Sequence, residues 1–380
     1  MVRNYNKKNV LDFWTGKNVF ITGHNGFKGS WLTLRLLLLG ANVSGYSLPI
    51  SKEESLFREL SRNGFEGKNF EGYLNDFTGD INDLKTFRNC VRNSNPDIIF
   101  HLAAQPLVRE SYKNPIKTWQ TNVMGTLNLL ESVKSFTHKC SIVLISSDKV
   151  YKNNEWVYGY RENDVLGGHD PYSASKAAME IVIESWRNSF CGNAPYQTNN
   201  LFLNSARAGN VIGGGDWSQD RLLPDVIKSL HLNKEINIRN PKSRRPWQHV
   251  LEPLQGYIML AQKIYELSES IDMAAKKSGP YNFGPNSESN KSVDELIQIV
   301  LSNWEGTYKC EKNEDDFHEA ELLHLVSDKA KVFLNWEQKI SFEDTVKRTI
   351  KWYKSFYGGK PAFECCLDDI KYFEDLIYYD

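Results

Sequence analysis

This 380-residue chain has few cysteines, almost no net charge and only short apolar runs. Its six cysteines are scattered and include no C-x-x-C pair, which argues against a disulfide framework and a zinc site. The 46 lysines and arginines nearly balance the 47 aspartates and glutamates, unlike the basic surface of a nucleic-acid-binding protein. Apolar runs such as residues 36–39 are too short to cross a bilayer, and the polar N-terminus does not resemble a signal peptide. We therefore expect a soluble cytoplasmic protein with no metal, membrane or nucleic-acid partner.

A glycine-rich turn near the start of the chain is the most informative feature of the sequence. The apolar residues 19–22 predict a strand, Gly23-x-x-Gly26-x-x-Gly29 follows at once, and residues 31–37 predict a helix. This order is typical of a dinucleotide site, where glycines permit a tight turn and a close approach of backbone to a pyrophosphate. The alternative is an ordinary glycine-rich turn without a ligand. The predicted cofactor-binding residues of this turn are Gly23, Asn25, Gly26, Phe27, Lys28 and Gly29.

Strands alternate with helices along the first half of the chain. Further strand patterns occur at residues 41–46, 97–101, 140–145 and 202–206, and helical patterns at residues 83–94, 121–130 and 171–190. This alternation predicts an α/β fold with a doubly wound parallel sheet of the Rossmann type. The length of the chain and its looser C-terminal pattern predict a second, smaller α/β lobe that shares a cleft with the sheet. Residues 51–72 are predicted to form a polar connection with a short helix.

Polar and small residues follow several of these strands, at the edge where ligands bind in open parallel sheets. Asp80 precedes Ile81 at one such point and is predicted either to bind an adenine or to cap a helix. The position after the second strand is Ser47 rather than an acidic residue, so it does not decide between NAD and NADP. The strand pattern at residues 97–101 is followed by a run of mostly small residues that should let the cofactor lie close. This run consists of Leu102, Ala103, Ala104 and Gln105.

Tyr172 and Lys176 stand four residues apart on a predicted helix, so their side chains share one face. The ammonium is expected to lower the pKa of the phenol, which would make it a usable base near neutral pH. Ser147 is placed to hydrogen-bond a reacting hydroxyl, and Asp148 beside it offers a second acid or base. Tyr-x-x-x-Lys alone is more often part of a surface helix. Together with the glycine turn and Ser147, it predicts oxidation of a hydroxyl group.

Two later segments suggest a sugar and a diphosphate. Residues 150–170 are rich in Tyr, Trp and Gly, and we expect this loop to fold over a sugar. Arg239, Arg244, Arg245 and His249 cluster along the chain, and the planar, multidentate donors of arginine suit a diphosphate. The alternative is a set of solvated surface arginines.

These motifs together resemble the extended short-chain dehydrogenase/reductases, and among them the nucleotide-sugar 4,6-dehydratases. The motifs are Gly23-x-x-Gly26-x-x-Gly29, residues 102–105, Ser147-Asp148-Lys149 and Tyr172-x-x-x-Lys176. Longer phrases are similar to the branch of that family that acts on CDP-glucose, at residues 13–17, 23–31, 104–109, 207–217 and 245–254. The resemblance spans residues 12–355.

The resemblance implies bound NAD, a CDP-sugar substrate and two lobes. Residues 1–205, with a returning segment near 246–283, would form the NAD-binding domain, and residues 206–245 and 284–380 the nucleotide-sugar-binding lobe. Tyr172 and Lys176 would also contact the cofactor. The implied substrate-binding residues are Gln105, Arg207, Asn210, Arg221, Arg239, Arg245 and His249. The family also pairs helices near residues 121–133 and after Tyr172, which implies a homodimer or a dimer of dimers.

The implied reaction makes a 4-keto-6-deoxy sugar for deoxysugar and surface-polysaccharide biosynthesis. Tyr172 takes the proton of the sugar 4-hydroxyl while a hydride passes to NAD. A base then removes the C5 proton, Asp148 protonates the leaving 6-hydroxyl, and the hydride returns to C6. Many members carry Glu where this chain has Lys149, which leaves the C5 base open. They also more usually carry Thr where this chain has Ser147.

Two other functions stay open at this point. A 4-epimerase or another nucleotide-sugar 4,6-dehydratase of the same superfamily needs the same cofactor, Tyr172, Lys176 and Ser147, although an epimerase needs no acid at Asp148. A nucleotide-binding regulator without catalysis would have no need of the intact Ser147, Tyr172 and Lys176. The nucleotide itself is undecided, because cytosine and uracil differ by a single exchange of donor and acceptor.

Overall fold

The structure, a computed structural model, describes residues 7–50, 54–62, 73–194, 197–198, 200–310 and 322–378. The polar connection predicted at residues 51–72 lies mostly outside these ranges. Its described part contains the predicted short helix, at Leu56–Leu60. Within the described ranges, no helix is both long and apolar enough to cross a bilayer.

Most of the strands are short, and the longest among the described residues is the seven-residue strand Leu201–Arg207. In chain order they are β1 (Asn18–Thr22), β2 (Asn42–Ser47), β3 (Leu74–Thr78), β4 (Ile98–His101), β5 (Cys140–Ile145), β6 (Asn193–Ala194), β7 (Gln197–Thr198), β8 (Leu201–Arg207), β9 (Val211–Ile212), β10 (Ile236–Ile238), β11 (Arg244–Pro246), β12 (Gln248–His249), β13 (Pro280–Asn282), β14 (Asn290–Ser292) and β15 (Tyr308–Cys310).

The helices separate these strands along most of the chain. In order they are α1 (Lys7–Trp14), α2 (Phe27–Leu38), α3 (Leu56–Leu60), α4 (Leu84–Asn93), α5 (Val108–Lys113), α6 (Pro115–Trp119), α7 (Gly125–Val133), α8 (Pro171–Phe190), α9 (Leu222–His231), α10 (Leu251–Leu267), α11 (Ile271–Lys277), α12 (Val293–Asn303), α13 (Asp328–Leu334), α14 (Phe342–Tyr357) and α15 (Ala362–Tyr378). A π-helical turn, Gln120–Met124, joins α6 to α7.

Seven of the strands form one parallel sheet in the order β13-β8-β5-β4-β1-β2-β3. The chain builds outward from β1 to β3 and then returns to place β4 on the other side of β1. This reversal opens a crevice at the carboxyl ends of β1 and β4, where Thr22 lies beside His101. Ligands of open α/β sheets bind in such a crevice. The predicted doubly wound α/β fold is therefore confirmed.

The inner strands are apolar on both faces because helices cover both faces of the sheet. Every residue of β4 and β5 is buried. One core includes Trp31 of α2 and Tyr257 of α10, and the other includes Phe87 of α4 and Ile183 of α8. These two cores hold the ends of β1, β4 and β5 in place, and the residues of the site follow those ends.

The chain beyond β8 alternates between the sheet and a second group of elements. Helix α10 packs against β5, and β13 joins β8 as the outermost strand of the sheet. The two-stranded pairs β9–β12, β10–β15 and β11–β14 lie outside the sheet, together with the packed helices α9, α12 and α14. The assignment of these segments to separate binding domains stays a prediction.

Candidate active site

A cavity of about 1600 Å³ lies at the carboxyl ends of the strands. Single small ligands usually occupy about 300–1,000 Å³, so this volume suits two ligands side by side. Most residues predicted from the sequence line it: Gly23, Asn25, Gly26, Phe27, Lys28, Gly29, Asp80, Ile81, Leu102, Ala103, Ala104, Ser147, Asp148, Lys149, Tyr172, Lys176, Asn210, Arg221, Arg239 and Arg245.

The glycine turn has the geometry that a dinucleotide requires. Gly23 has a φ of +73°, and a Cβ atom there would lie 2.7 Å from the backbone nitrogen of Ala103. A Cβ atom on Gly29 would lie 2.0 Å from the carbonyl oxygen of Gly23. Gly26 precedes the first turn of α2, whose backbone N–H groups have no side-chain cap and offer an anion site at the cavity. These residues therefore fit the pyrophosphate of NAD.

Asp80 lies at the cavity, and the structure decides against its predicted alternative as a helix cap. The cap of α4 is Asp83, whose carboxylate accepts a hydrogen bond from the backbone N–H of Thr86 at 3.2 Å. Asp80 instead accepts hydrogen bonds from the backbone and side chain of Asn82 at 2.9 and 3.0 Å. Its carboxylate therefore remains a candidate for adenine recognition.

Ser147, Asp148 and Tyr172 meet where β5 ends and α8 begins. The hydroxyl of Ser147 donates to Oδ1 of Asp148 at 2.9 Å, and it also hydrogen-bonds the phenol of Tyr172. Asp148 is only 3% exposed, and its Oδ2 accepts a hydrogen bond from the side-chain amide of Asn210 at 3.4 Å. A hydroxyl, a carboxylate and a phenol thus converge on one wall of the cavity.

The expected lowering of the pKa of Tyr172 by its neighbouring lysine is wrong for this structure. Burial raises the pKa of Tyr172 to about 12, and the hydrogen bond from Ser147 offsets only part of that effect. The Lys176 ammonium donates to the backbone carbonyl of Ile145 at 3.2 Å, and burial lowers its own pKa to about 8. Both groups therefore lie in a site that disfavours charge.

The π-helical turn, Gln120–Met124, brings a residue to the site that the sequence analysis missed. The side-chain amide of Asn122 donates to the carbonyl of Gln105 at 3.2 Å and to the hydroxyl of Ser175 at 2.8 Å. Its oxygen accepts from the backbone N–H of Gln105 at 2.8 Å. Asn122 thus ties the loop after β4 to the helix that carries Tyr172. The interruption of a helical pattern by a π-turn often marks a functional site.

Several predicted cationic side chains line the cavity, among them Lys28, Arg221, Arg239 and Arg245. Lys28, predicted to bind the cofactor, is half-buried there, and burial followed by the charge of Arg221 lowers its pKa to about 8. An ion pair with Asp216, at 2.9 Å, fixes the orientation of the Arg221 side chain. Arg239 and Arg245 also line the cavity. This concentration of positive charge suits bound phosphates.

Three predicted substrate-binding residues do not line the cavity. The side-chain amide of Gln105 folds back onto its own loop, where it bonds Leu107 and Thr118. His249 is fully buried, with Nε2 at 3.7 Å from a carboxylate oxygen of Asp369. Arg207 is 3% exposed and pairs with Glu180 beneath the site. The predicted substrate roles of these three side chains are corrected accordingly.

The loop at residues 150–170 does not fold over the cavity as expected. Its backbone joins Tyr160 to residues 324 and 326 through two hydrogen bonds of 2.9 Å. The rings of Tyr151 and Tyr160 stack with centroids 5.1 Å apart and pack against Leu323 and Leu325. None of the residues that line the cavity comes from this loop. Among the described residues, no group of His, Cys, Asp and Glu is arranged to hold a metal.

The sequence comparisons agree with this arrangement. Residues 20–349 match the model of the GDP-mannose 4,6 dehydratase family. The chain belongs to this family. Over 361 residues it is 45% identical to a CDP-glucose 4,6-dehydratase of Salmonella typhimurium, covering 94% of this chain and 96% of that protein. The resemblance stated from the motifs is therefore confirmed.

Solved structures show that the fold of this GDP-mannose 4,6 dehydratase family member is shared more widely. An epimerase from Methanothermobacter thermautotrophicus superposes with a TM-score of 0.75 at 22% identity, covering 92% of this chain and 96% of that one. A dTDP-glucose 4,6-dehydratase from Bacillus anthracis in complex with NAD superposes with a TM-score of 0.70 at 20% identity, covering 90% and 97%. At these identities the likeness concerns the fold alone.

Proposed function

We propose that this chain is a CDP-glucose 4,6-dehydratase with bound NAD, acting in the cytoplasm in deoxysugar biosynthesis. The observation that carries the proposal is the 45% identity, over 94% of the chain, to a protein of that name. The product is CDP-4-keto-6-deoxy-D-glucose, formed with loss of water. The convergence of Ser147, Asp148 and Tyr172 on one cavity wall supports it.

The glycine turn, Asp80 and residues 102–104 hold the cofactor in this proposal. When bound, NAD supplies a reversible hydride acceptor for the sugar. The open N–H groups at the start of α2 bind its pyrophosphate, and Lys28 adds a positive charge beside them. Tyr172 and Lys176 hold the nicotinamide end.

Tyr172 removes the proton of the sugar 4-hydroxyl. Ser147 donates to the same oxygen and stabilises the 4-keto group as it forms. Burial raises the pKa of Tyr172, which makes its phenolate a strong base for this proton. The phenol that forms is the acid that can later return the proton. Lys176 lies one helical turn after Tyr172 on α8, and its ammonium orients the cofactor and the sugar for this proton transfer.

Asp148 supplies the proton to the departing 6-hydroxyl. Its carboxyl is held by Ser147 on one side and by Asn210 on the other, so it approaches the sugar in one orientation. The base that takes the C5 proton is left open. Lys149, on the turn after Asp148, lines the cavity and is one candidate.

Arg221, Arg239 and Arg245 bind the diphosphate of the substrate. Arg221 is fixed by an ion pair with Asp216, and Arg245 lies on β11. In this proposal the nucleotide-sugar lobe, at residues 206–245 and 284–380, contributes these phosphate ligands. Guanidinium groups recognise diphosphates through paired N–H donors.

Incubation of the purified protein with CDP-glucose tests the proposal. A 4-keto-6-deoxy product absorbing in alkali is the expected result, whereas CDP-galactose would identify a 4-epimerase instead. Competition among CDP-, GDP-, UDP- and dTDP-sugars then measures the nucleotide preference. Cofactor binding without turnover of any of these sugars would favour a regulator.

We also propose that two copies pair through α6, α7 and α8. Helices α6 and α8 carry apolar side chains that the single chain leaves exposed, at Ile116 (73%), Trp119 (41%) and Ile181 (58%). Exposed apolar groups of this size are typical of contact surfaces. Light scattering should give the mass of a dimer or a dimer of dimers, and a monomer at micromolar concentration would contradict the pairing.

A further inference from the structure

One row of side chains on α8 extends beyond the predicted pair. Tyr172, Lys176 and Glu180 follow one another at four-residue spacing, so all three lie on the same face of the helix. This row meets three consecutive residues at the end of β5. Tyr172 bonds Ser147, the Lys176 ammonium donates to the carbonyl of Ile145, and Glu180 accepts from the hydroxyl of Ser146.

The carboxylate of Glu180 is buried, charged and fully hydrogen-bonded. Arg207 donates from Nε to Oε1 at 3.0 Å and from Nη2 to Oε2 at 2.9 Å. Ser205 donates to Oε2 at 2.6 Å, and Ser146 donates to Oε1. Burial alone would raise the pKa of Glu180, but Arg207 and the two hydroxyls outweigh it and hold that pKa below its usual value. Glu180 is therefore a fixed negative charge 3% exposed to solvent.

The surroundings of Lys176 otherwise disfavour its charge. Burial lowers the pKa of Lys176, and the negative charge of Glu180 raises it. The charge of Lys176 acts on Lys28 of α2 and on His101 of β4. Asp148, after β5, acts on the same Lys28, and Arg207 of β8 pairs with Glu180. Burial, and then the charge of Lys176, lower the pKa of His101 to about 3, so His101 is neutral. Glu180 is thus the charge that counters desolvation of the ammonium.

We propose that Glu180, fixed by Arg207, is a positioning residue that keeps the Lys176 ammonium charged and holds the end of β5 against α8. The inference rests on the proposed function for its kinetic consequence, because Lys176 orients the ligands only in its charged form. It also assigns a role to Arg207, which lies outside the cavity. The pair acts from beneath the site and touches neither substrate nor cofactor.

Neutralising Glu180 should release the Lys176 proton at lower pH. Glu180→Gln keeps the size of the side chain but removes the negative charge, and it leaves the Arg207 guanidinium as an uncompensated buried cation. Both changes disfavour a second cation nearby. We expect the midpoint of the Lys176 titration to fall by about one pH unit or more. Glu180→Asp keeps the charge and should leave the midpoint near that of the wild-type protein.

Nuclear magnetic resonance of protein labelled with ¹³C at the lysine ε-carbon measures this titration directly. Lys176→Met assigns the signal. A lower midpoint in Glu180→Gln, and restoration in Glu180→Asp, would support the proposal. An unchanged midpoint in Glu180→Gln would overturn it. The measurement needs no substrate, so it stands even if the protein fails to turn over CDP-glucose and the proposed function falls.

The pH profile of kcat/KM with CDP-glucose provides the kinetic test. The alkaline limb should move to lower pH in Glu180→Gln and stay in place in Glu180→Asp. Loss of a purely structural contact would instead lower kcat/KM equally at every pH and leave the limb in place. If Glu180→Gln does not fold, the double variant Glu180→Gln/Arg207→Met removes both buried charges. It should also lower the Lys176 midpoint, and a midpoint equal to the wild-type value would contradict the proposal.

Discussion

Gly209 lies against the carboxylate of Asp148 so closely that only glycine fits. A Cβ atom at residue 209 would stand 2.0 Å from Oδ2 and 2.4 Å from Oδ1 of Asp148. The loop after β8 therefore forms one side of the slot that holds the proposed acid. The chemistry of Asp148 thus depends on a residue that itself carries no functional group.

Gly209→Ala should impair turnover by displacing Asp148. We expect kcat to fall by about tenfold or more, since small displacements of a catalytic group are costly. Gly279→Ala is the matched control, because its Cβ atom would meet only the flexible end of Lys329 at 3.3 Å. Steady-state kinetics and thermal unfolding of both variants check this. A fully active Gly209→Ala enzyme would contradict the role of Gly209 in positioning Asp148.

Tyr172→Phe should abolish oxidation of the sugar while leaving the cofactor bound. The substitution removes the phenolic oxygen but keeps the ring that packs at the start of α8. Bound NAD, measured after denaturation of the purified protein, should match the wild-type amount. Turnover similar to that of the wild type would remove Tyr172 from its role as the base.

Asp148→Asn should stall the reaction after the first oxidation. An amide cannot donate a proton to a departing hydroxide, and general acid catalysis typically contributes about a hundred- to ten-thousandfold. The Asn oxygen can still accept the hydrogen bond from Ser147, so the geometry should persist. With substrate, we expect the absorbance of reduced nicotinamide to accumulate while product formation falls at least about a hundredfold. An equal loss of both half-reactions would indicate a structural role only.

Gly26→Ala and Gly29→Ala should separate ligand binding from folding. A Cβ atom on Gly26 would meet only the carbonyl of Gly23, at 3.4 Å, so the fold has room for it. A Cβ atom on Gly29 would lie 2.0 Å from that same oxygen. We expect Gly26→Ala to weaken NAD binding at an almost unchanged unfolding temperature. Gly29→Ala should lower stability by about 2 kcal/mol or more, which thermal unfolding without added cofactor would show.

Glu252→Gln should stabilise the protein at alkaline pH. The Glu252 carboxyl is fully buried, its Oε1 accepts from the backbone N–H groups of Lys339 and Ile340, and burial raises its pKa from 4.5 to about 8. Because the folded state holds this proton more tightly, its contribution to stability is present below pH 4.5 and is lost as the pH rises to about 8.

Glutamine keeps both of these hydrogen bonds without ionising. The variant should therefore exceed the wild-type free energy of unfolding by about 1 kcal/mol or more at pH 9 and lose that advantage at pH 5. Denaturant titrations at the two pH values measure the difference. Glu184→Gln, on the exposed side of α8, is the control, and an equal effect of both substitutions would contradict this account.

Short-range spacing in the sequence was sufficient to predict the glycine turn, the pair Tyr172 and Lys176, and the position of Asp148 beside Ser147. Each depends on residues a few positions apart within one strand, turn or helix, whose geometry is regular. The alternation of strands and helices likewise predicted the sheet, because parallel strands need crossover helices. These features also carried the family resemblance.

Only the tertiary structure decided which polar residues face the cavity. Arginine and histidine often bind ligands, and Arg207 and His249 were predicted to do so. In the folded chain both are buried, Arg207 in an ion pair with Glu180 and His249 beside Asp369. The pKa of Tyr172 differs from the expectation for the same reason, since its burial depends on everything packed around α8. The burial of a side chain and the identity of its ion-pair partner depend on contacts between residues far apart in sequence. The spacing of neighbouring residues therefore cannot predict them.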